Sequence, residues 1–281
     1  MNEAMSELVN TSVSVSVVIP CFKCAETIER AVLSVARQSR RPREIILVDD
    51  CGADLTLLVL RRLQATYPTG WIQLVERNSN GGAGSARNSG WAHARERYVA
   101  FLDADDSWHA RKVELQFSWM ERHPGVVLTG HLCVVRSPTY EGNDEAIVSH
   151  AFQVASIGLG KLLLSNRFAT RSVMIRRDIS VRFQEGKRYS EDYLLWLEIV
   201  SAYGAGAVIE APLAHLYKPE FGAAGLSADL WQMTTGELHT FREFARASLS
   251  RHAYLPFLFG WSLLKHVRRE IQCGLRRWRA A

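Results

Sequence analysis

Three carboxylates within four positions are the part of this sequence with the clearest chemical potential. Residues 98–108 read YVAFLDADDSW, so Asp103, Asp105 and Asp106 follow a short apolar run that predicts a buried strand. Such strands form parallel sheets covered by helices, and ligands bind outside their carboxyl ends. Carboxylates this close repel one another unless a cation compensates, and hard oxygen ligands suit magnesium or manganese. The segment therefore predicts a divalent metal that holds a phosphorylated ligand.

The same residues also have a purely structural interpretation. Aspartate is common at helix starts, so the three carboxylates could form a solvated acidic turn before the helix expected near Arg111. Taken by themselves, they favour neither interpretation.

A glycine-rich stretch supplies the second candidate. Residues 77–90 (RNSNGGAGSARNSG) predict a loop that becomes a helix around Ser85 or Ala86. Glycines let a backbone approach a ligand closely, and the N-terminus of a helix attracts anions. Arg87 on the opening turn favours contact with a phosphate or a nucleotide over the alternative, which is a flexible surface loop.

The third candidate is an acidic pair at the start of a helix. In residues 189–199 (YSEDYLLWLEI), Ser190 is a suitable N-cap, and Glu191 and Asp192 fall in the first turn. One of these carboxylates could face the crevice as a general base. The residues alone favour the simpler interpretation, in which both carboxylates complement the helix dipole.

Alternating strands and helices must position these candidates. Near-continuous apolar runs predict strands, and apolar residues spaced three and four apart predict helices between them. This alternation predicts parallel pairing with right-handed crossovers. No GxGxxG sequence follows the first strand, so a nicotinamide dinucleotide site is not expected. The strands are expected at 13–20, 44–48, 71–75, 126–135, 172–176 and 207–210, and the helices at 28–36, 54–63, 111–122, 157–164, 230–250 and 254–278.

The composition is typical of a soluble globular protein, with 47% hydrophobic and 22% charged residues among 281. No stretch reaches the length of about 18 apolar residues that spans a membrane. Residues 1–12 lack the layout of a signal peptide, so a cytoplasmic protein is expected. The net charge of +5 is concentrated in residues 241–281, which carry nine Lys or Arg against two Glu. This asymmetry argues against a broad nucleic-acid surface.

The chain divides into a body and a tail. Residues 1–12 are expected to be disordered, and residues 13–218 to form the main domain. Residues 219–281 are expected to hold a lid-like segment and basic amphipathic helices; FGAAGLS at 221–227 could be a mobile lid over phosphates or a linker. The last helix could lie on an anionic membrane, pack on the body or contact another subunit.

Five scattered cysteines do not predict a disulfide scaffold. Cys21 and Cys24 form a CxxC between the first strand and the first helix, the position of a thioredoxin-like redox pair. A thiol oxidoreductase is therefore one alternative function, although this motif explains none of the acidic residues.

Several motifs occur together in a familiar order: VSVVIPCFK, TIERAVLSVARQS, EIILVDDCGADLT, NGGAGSARNSG, YVAFLDADDSW and YSEDYLLWLEI. From about Val15 to Tyr217 the chain resembles a family 2 glycosyltransferase with the GT-A fold. The resemblance implies a Rossmann-like α/β fold with a mixed, mostly parallel sheet flanked by helices, here with a C-terminal helical extension. It also implies inverting transfer of a sugar from a nucleotide sugar, usually a uridine diphosphate (UDP) sugar, with Mn²⁺ or Mg²⁺.

The resemblance also assigns roles to residues of this sequence. In the acidic pair, Asp192 matches the general base, with Glu191 as its catalytic neighbour. The donor nucleotide sugar is expected to contact Pro20, Phe22, Asp50, Arg87, Asp103 and Lys218. The metal is expected at Asp105 and Asp103, with Asp106 as a further ligand.

Two departures from the family pattern refine the expected function. Cys21-Phe22-Lys23 stands where Tyr-Asn is usual, and the Gln/Arg-x-x-Arg-Trp signature of processive synthases is absent. The second departure, together with the lack of a membrane-spanning stretch, favours single-sugar addition over a polysaccharide synthase. The expected acceptor is a glycan or a lipid-linked sugar in surface polysaccharide assembly. The apolar and basic tail suggests peripheral contact with the inner face of the plasma membrane. A sugar-nucleotide-binding or membrane-adaptor module without catalysis is the other alternative.

Overall fold

The computed structural model describes residues 12–137, 152–218 and 229–280. The expectations for the N-terminus, apart from Ser12, and for the lid-like segment at 221–227 concern residues outside these ranges. The strands are β1 (Val13–Cys21), β2 (Pro42–Asp49), β3 (Ile72–Glu76), β4 (Tyr98–Phe101), β5 (Ser107–Trp108), β6 (Leu128–Val135), β7 (Val154–Ile157), β8 (Met174–Arg176) and β9 (Gly206–Leu216). The helices are α1 (Ile28–Ala36), α2 (Thr56–Thr66), α3 (Gly82–His93), α4 (Lys112–Arg122), α5 (Leu159–Leu164), α6 (Glu191–Tyr203), α7 (Leu230–Arg246), α8 (Leu249–His252) and α9 (Leu255–Ala280), with a 3-10 turn at Thr170–Ser172.

One mixed sheet organises the described chain. Its strands follow the order β3-β2-β1-β4-β8-β6-β9-β5, and β7 also pairs with β9. The first four strands pair in parallel, as the alternation of strands and helices predicts. The second half is mixed, because β8 runs antiparallel to both β4 and β6, while β6 and β9 are parallel.

The near-continuous apolar runs of the strands are explained by two cores, one on each face of the sheet. In β1, Val18 faces one core, whereas Val17 and Ile19 face the other. Neighbouring strands alternate in the same way, so both faces of each strand are removed from water. One core is completed by apolar residues of α3, α6 and α7, and the other by those of α1, α2 and α4.

The strand order creates a crevice at one place in the sheet. β1 pairs with β2 on one side and with β4 on the other, so the order of connection reverses at β1. In open α/β sheets, ligands bind outside the carboxyl ends of the strands at such a reversal. Gly90 lets α3 pack tightly over this region, because a side chain there would collide with Val18 of β1.

Four elements differ from the sequence expectations. α3 begins at Gly82, three or four residues before the expected start, because the Asp50 carboxylate accepts hydrogen bonds from its first N–H groups. Ser190 occupies the N-cap position of α6 but has a left-handed backbone (φ 55°), and its side chain makes no capping hydrogen bond. The helix expected at 230–250 is broken after Arg246, and the short strand β7 was not expected.

Lys112, at the start of α4, is fully buried. Its ammonium nitrogen lies 3.8 Å from the centre of the Trp108 ring, and it has no hydrogen-bond partner in the part of the chain described here. Burial lowers the pKa of Lys112 well below its ordinary value, because removal from water disfavours the charged form. The unfolded chain therefore binds a proton that the folded chain releases, so this residue makes stability rise with pH towards its ordinary pKa of about 10.4.

Replacing Lys112 with methionine should therefore stabilise the protein. Methionine has a similar length and no ionisable group, so we expect the free energy of unfolding at pH 7 to rise by about 1–3 kcal/mol. Urea unfolding at pH 7 and pH 9 would measure this gain, which should be smaller at pH 9. The exposed Lys161→Met is the matched control and should change little. A variant less stable than the wild type at both pH values would contradict the prediction.

Candidate active site

A cavity of about 1000 Å³ lies at the carboxyl ends of β1, β2 and β4, where the strand order reverses. Nine of the ten residues predicted from the sequence line it, although they come from six separate segments. Asp192 is the exception, and its neighbour Glu191 lines the cavity instead. The nine are Pro20, Phe22, Asp50, Arg87, Asp103, Asp105, Asp106, Glu191 and Lys218.

Arg87 connects the two acidic motifs. Its guanidinium donates to Asp103 Oδ1 at 2.7 Å and to Glu191 Oε1 at 3.1 Å. The Arg87 side chain is only 6% exposed, so both bonds lie in surroundings where unpaired charge is costly. A planar guanidinium can serve two carboxylates at once, which a lysine ammonium does less well. Arg87 therefore holds the aspartate segment and the start of α6 in one arrangement.

A second arginine neutralises the aspartates from the opposite side. Arg171, in the 3-10 turn, lies 3.1 Å from Asp106 Oδ2 and 3.9 Å from Asp103 Oδ2. Burial opposes ionisation of Asp103, but Arg87 and Arg171 outweigh it and hold its pKa below the ordinary value. Asp106 is buried more deeply, and desolvation raises its pKa to about 7 despite Arg171. Asp103 and Asp106 thus differ in their tendency to carry charge.

Asp105 is the most exposed of the three, with 39% of its side chain accessible. Its carboxylate pairs with the ammonium of Lys218, which follows β9. Its backbone carbonyl accepts a hydrogen bond of 2.6 Å from Arg30, whose guanidinium stacks 3.6 Å from the Tyr217 ring. The end of β9 is thereby brought back to the aspartate segment, 113 positions away in sequence.

Asp50 has a structural use that its predicted role did not anticipate. One carboxylate oxygen accepts from Arg77 at 2.6 Å and from the backbone N–H of Gly81 at 3.0 Å, and the other accepts from Gly82 N–H at 2.9 Å. The 2% exposed side chain of Asp50 thus caps the first turn of α3 from outside that helix. This long-range cap explains why α3 starts earlier than its own residues predict. Contact between Asp50 and the donor nucleotide sugar remains a prediction.

The two carboxylates that begin α6 point to different partners. Glu191 turns to Arg87, and desolvation raises its pKa to about 7, with the charge of Asp192 acting in the same direction. Asp192 Oδ2 accepts hydrogen bonds from Thr170 at 3.1 Å and from Asn166 at 3.3 Å. Asp192 is part-exposed and therefore reachable from solvent. The pair is more than a dipole complement, because one member belongs to the ionic network of the cavity.

Strained backbone occurs around the same crevice. Lys23 follows β1, Cys51 and Ala53 follow β2, and Ser190 precedes α6; all four have left-handed conformations with φ of 49–55°. Such conformations cost about 1–3 kcal/mol each in non-glycine residues and tend to cluster at functional sites. The Ser190 carbonyl accepts a hydrogen bond from Thr240 of α7, which helps to hold the conformation at the start of α6.

The chemistry of the aspartates fits a hard divalent cation. Within the described ranges, no three carboxylate, imidazole or thiol groups converge as a complete metal cage. Magnesium needs no such cage, because it is commonly bound by one or two carboxylates together with substrate phosphates. Asp105 faces the cavity, and Oδ1 of Asp106 is buried with no hydrogen-bond partner among the described groups. Carboxylate oxygens are thus available to a cation here, and the phosphate oxygens of a bound substrate would complete its coordination.

Sequence reasoning missed several residues that complete the site. Arg171, Arg30 and Arg77 each contact a predicted site residue, and the Tyr217 ring packs against Arg30. Arg30 and Arg77 lie inside two of the quoted sequence stretches, but nothing in those stretches singles them out, and Arg171 and Tyr217 lie in none of them. Tertiary contacts between distant segments give them their roles.

The CxxC pair lies in the wall of the same cavity. Cys21 and Cys24 are both buried free thiols. Burial raises the pKa of Cys21 well above its ordinary value. A hydrogen bond with Cys21 lowers the pKa of Cys24. The Cys21 thiol donates to the Ile19 carbonyl at 3.4 Å.

Comparison with known proteins shows the family of this chain. The Glycosyl transferase family 2 profile matches residues 16–181. The chain is 26% identical over 253 residues to the UDP-Glc:alpha-D-GlcNAc-diphosphoundecaprenol beta-1,3-glucosyltransferase WfgD of Escherichia coli, a match that covers 90% of this chain and 95% of that protein.

Solved structures share the fold at lower sequence identity. S. aureus TarS 1-349 in complex with UDP-GlcNAc is 19% identical, with a TM-score of 0.57 and coverage of 85% of this chain and 72% of that chain. The mannosyltransferase PcManGT of Pyrobaculum calidifontis, in complex with GDP-Man and Mn²⁺, is 19% identical, with a TM-score of 0.60 and coverage of 89% and 73%. The predicted GT-A fold is thereby confirmed. The profile match extends over more than half of the chain, which therefore belongs to glycosyltransferase family 2.

Proposed function

We propose that this glycosyltransferase moves one sugar, with inversion, from a UDP-sugar to a lipid-linked acceptor in surface polysaccharide assembly. The observation that carries the proposal is the cavity of about 1000 Å³ in which Arg87 joins the aspartate segment to the acidic start of α6. The activity given in the name of WfgD and the UDP-GlcNAc complex of TarS support the donor class. The diphosphoundecaprenol in the name of WfgD supports a lipid carrier.

In this proposal, Asp103 and Asp105 hold a divalent metal, and Asp106 adds a buried oxygen behind them. Mn²⁺ in the PcManGT complex supports this choice of cofactor. When bound, the metal would offset the negative charge of the diphosphate that leaves. Lys218 and Arg171 add positive charge on the same side of the cavity.

The remaining chemistry is a proton transfer, which we assign to Asp192. The acceptor hydroxyl must lose its proton as it attacks the anomeric carbon, and a carboxylate within hydrogen-bond reach can take it. Hydrogen bonds from Thr170 and Asn166 hold one Asp192 oxygen, and the part-exposed carboxylate remains reachable. Glu191, fixed by Arg87, would orient the segment on which this base lies.

The direct test is a transfer assay with a panel of UDP-sugars, Mn²⁺ and a diphosphate-linked prenyl acceptor. The proposal predicts UDP release that depends on both metal and acceptor. Tight binding of a nucleotide sugar without any turnover would instead indicate a binding module that lacks catalysis.

The C-terminal helix suggests where such an acceptor would be met. No helix in the described residues has the combined length and apolar character to cross a bilayer. One face of α9 nevertheless exposes an apolar stripe, which we define as Phe257, Leu264, Val267, Ile271 and Leu275, each 52–60% accessible. Because nine basic residues fall within 241–281, we propose that this stripe contacts an anionic membrane surface.

Vesicle flotation tests this contact. We expect the protein to float with vesicles that contain anionic lipid, and a Phe257→Ser, Leu264→Ser and Ile271→Ser triple variant to remain unbound. A variant with Leu55→Ser and Leu58→Ser is the matched control, because these leucines are also exposed but lie beside and in α2. Equal flotation of the triple variant and the wild type would contradict the proposal.

A further inference from the structure

A second cavity adjoins the donor cavity. It has a volume of about 450 Å³ and lies between residues 184–189 and one face of α7. Arg188 lines both cavities, so the two meet at its side chain. Residues 184–189 lead directly into Glu191 and Asp192 at the start of α6. The second cavity therefore borders the segment that carries the proposed base.

Basic side chains line this cavity, and one of them, His239, lies 3.2 Å from the Glu243 carboxylate. The Lys187 ammonium donates to the Gly236 carbonyl at 3.2 Å and lies 3.3 Å from His239 Nδ1. Within the described ranges, neither Lys187 nor Arg188 forms a salt bridge. Glu185 also lines the cavity and, like Arg188, is exposed. The lysine and the arginine outnumber the one carboxylate of the lining, so the cavity can receive an anion.

Three basic side chains of the donor cavity are already paired, because Arg87, Arg171 and Lys218 each lie beside an aspartate. The donor cavity is also lined by Lys23, Arg30 and Arg188, which form no salt bridge within the described residues. Because Arg188 is shared, Lys187 is the lysine or arginine that lines the second cavity alone. A transfer between two phosphorylated molecules must hold two anionic substrates at once, and Lys187 offers the acceptor a cation outside the donor cavity.

Close packing keeps the second cavity in place. A Cβ atom at Gly236 of α7 would lie 2.5 Å from the Tyr189 Cβ and 3.2 Å from the Tyr189 carbonyl. Only glycine lets the helix approach the loop this closely. Thr240, one turn further along α7, donates to the carbonyl of Ser190. The walls of the cavity are thus fixed relative to the start of α6.

The helix that forms one wall of the cavity also contacts the tail. Gln232 of α7 lines the cavity, and the preceding residue, Trp231, is 57% exposed. The Trp231 ring contacts His266 of α9 edge-on, with centroids 5.4 Å apart. The cavity and the helix that carries the apolar stripe are thus both adjacent to α7.

We infer that the second cavity binds the diphosphate of a lipid-carried acceptor through Lys187 and Arg188, with the acceptor sugar directed towards Asp192. This inference rests on the proposed function, and it adds the site and the chemical group by which the acceptor is recognised. Lys187 and Arg188 are binding residues in this account and take no part in proton transfer.

Calorimetric titration with two probes, geranyl diphosphate and inorganic pyrophosphate, tests the site in buffer with EDTA, so that neither probe binds through a metal. Lys187→Gln should weaken the binding of both probes by about tenfold, because one charge-assisted contact is lost. Lys161→Gln, which removes an exposed lysine outside both cavities, should bind like the wild type. UDP binding with Mn²⁺ should be unchanged in Lys187→Gln.

The outcomes separate this inference from the proposed function. Tighter binding of geranyl diphosphate than of pyrophosphate supports a lipid carrier. Equal affinities for the two probes would overturn the inference that the acceptor is carried on a lipid. Displacement of either probe by UDP, or equal probe affinity in Lys187→Gln and wild type, would overturn the site. Failure of the proposed function would appear differently, as the absence of sugar transfer by the wild-type protein.

Discussion

Replacing Asp192 with asparagine is expected to lower kcat by about 10²–10⁴-fold, the usual contribution of a general base. Asparagine keeps an oxygen that can accept from Thr170 and Asn166, so the fold should be retained. UDP binding should also be retained, because Asp192 does not line the donor cavity. Steady-state kinetics together with calorimetric titration of UDP would measure both quantities.

Glu191→Gln is the matched control for this substitution. It changes the neighbouring carboxylate, which faces Arg87, and it should lower kcat by a smaller factor than Asp192→Asn does. If Glu191 were the base, the order of the two variants would reverse. Activity would then rise with pH through about 7, because a base must be ionised and burial raises the pKa of Glu191 to that value. Loss of UDP binding in a folded Asp192→Asn protein would also contradict the assignment.

Arg87→Met is expected to cause the largest loss of stability. The substitution removes the cation that Asp103 and Glu191 share. It leaves Glu191 with no salt bridge among the described residues, and Asp103 with only Arg171, 3.9 Å away. Removing one member of a buried ion pair typically costs about 3–5 kcal/mol. The free energy of unfolding in urea should fall by that amount.

A control and a rescue variant make this test specific. Arg62→Met removes an exposed arginine that pairs with Glu29, and it should change stability by less than about 1 kcal/mol. If orphaned charge causes the loss, adding Glu191→Gln to Arg87→Met should recover part of it. An Arg87→Met protein as stable as the Arg62→Met control would show that the network does not hold the site together.

The sequence predicted the parts of this protein that local pattern controls. The strands around Val17, Ile46 and Val99 lie close to their expected places, because residues buried on both faces must be apolar throughout. The position of Asp103 and Asp105 at the crevice also follows from one rule, since both come directly after a central strand.

The features of the fold and the site that the sequence did not predict depend on contacts between segments that are far apart in the chain. The start of α3 is set by Asp50, which lies more than thirty residues earlier than the N–H groups it caps. Arg171 reaches the aspartates from a short turn that carries no motif. The expected capping role of Ser190 was wrong, because its backbone adopts a left-handed conformation held partly by Thr240. Patterns of neighbouring residues carry no information on such pairings.

The central claim is that Asp103 and Asp105 gather a divalent cation that binds the diphosphate of the donor in this cavity. Its most direct test is calorimetric titration of UDP into the wild type with Mn²⁺, into the wild type with EDTA, and into Asp105→Asn with Mn²⁺. Asp105 is part-exposed, so this variant should fold. The account predicts binding with Mn²⁺ that weakens by about tenfold or more in both other titrations. Equal affinity for UDP in all three would contradict it.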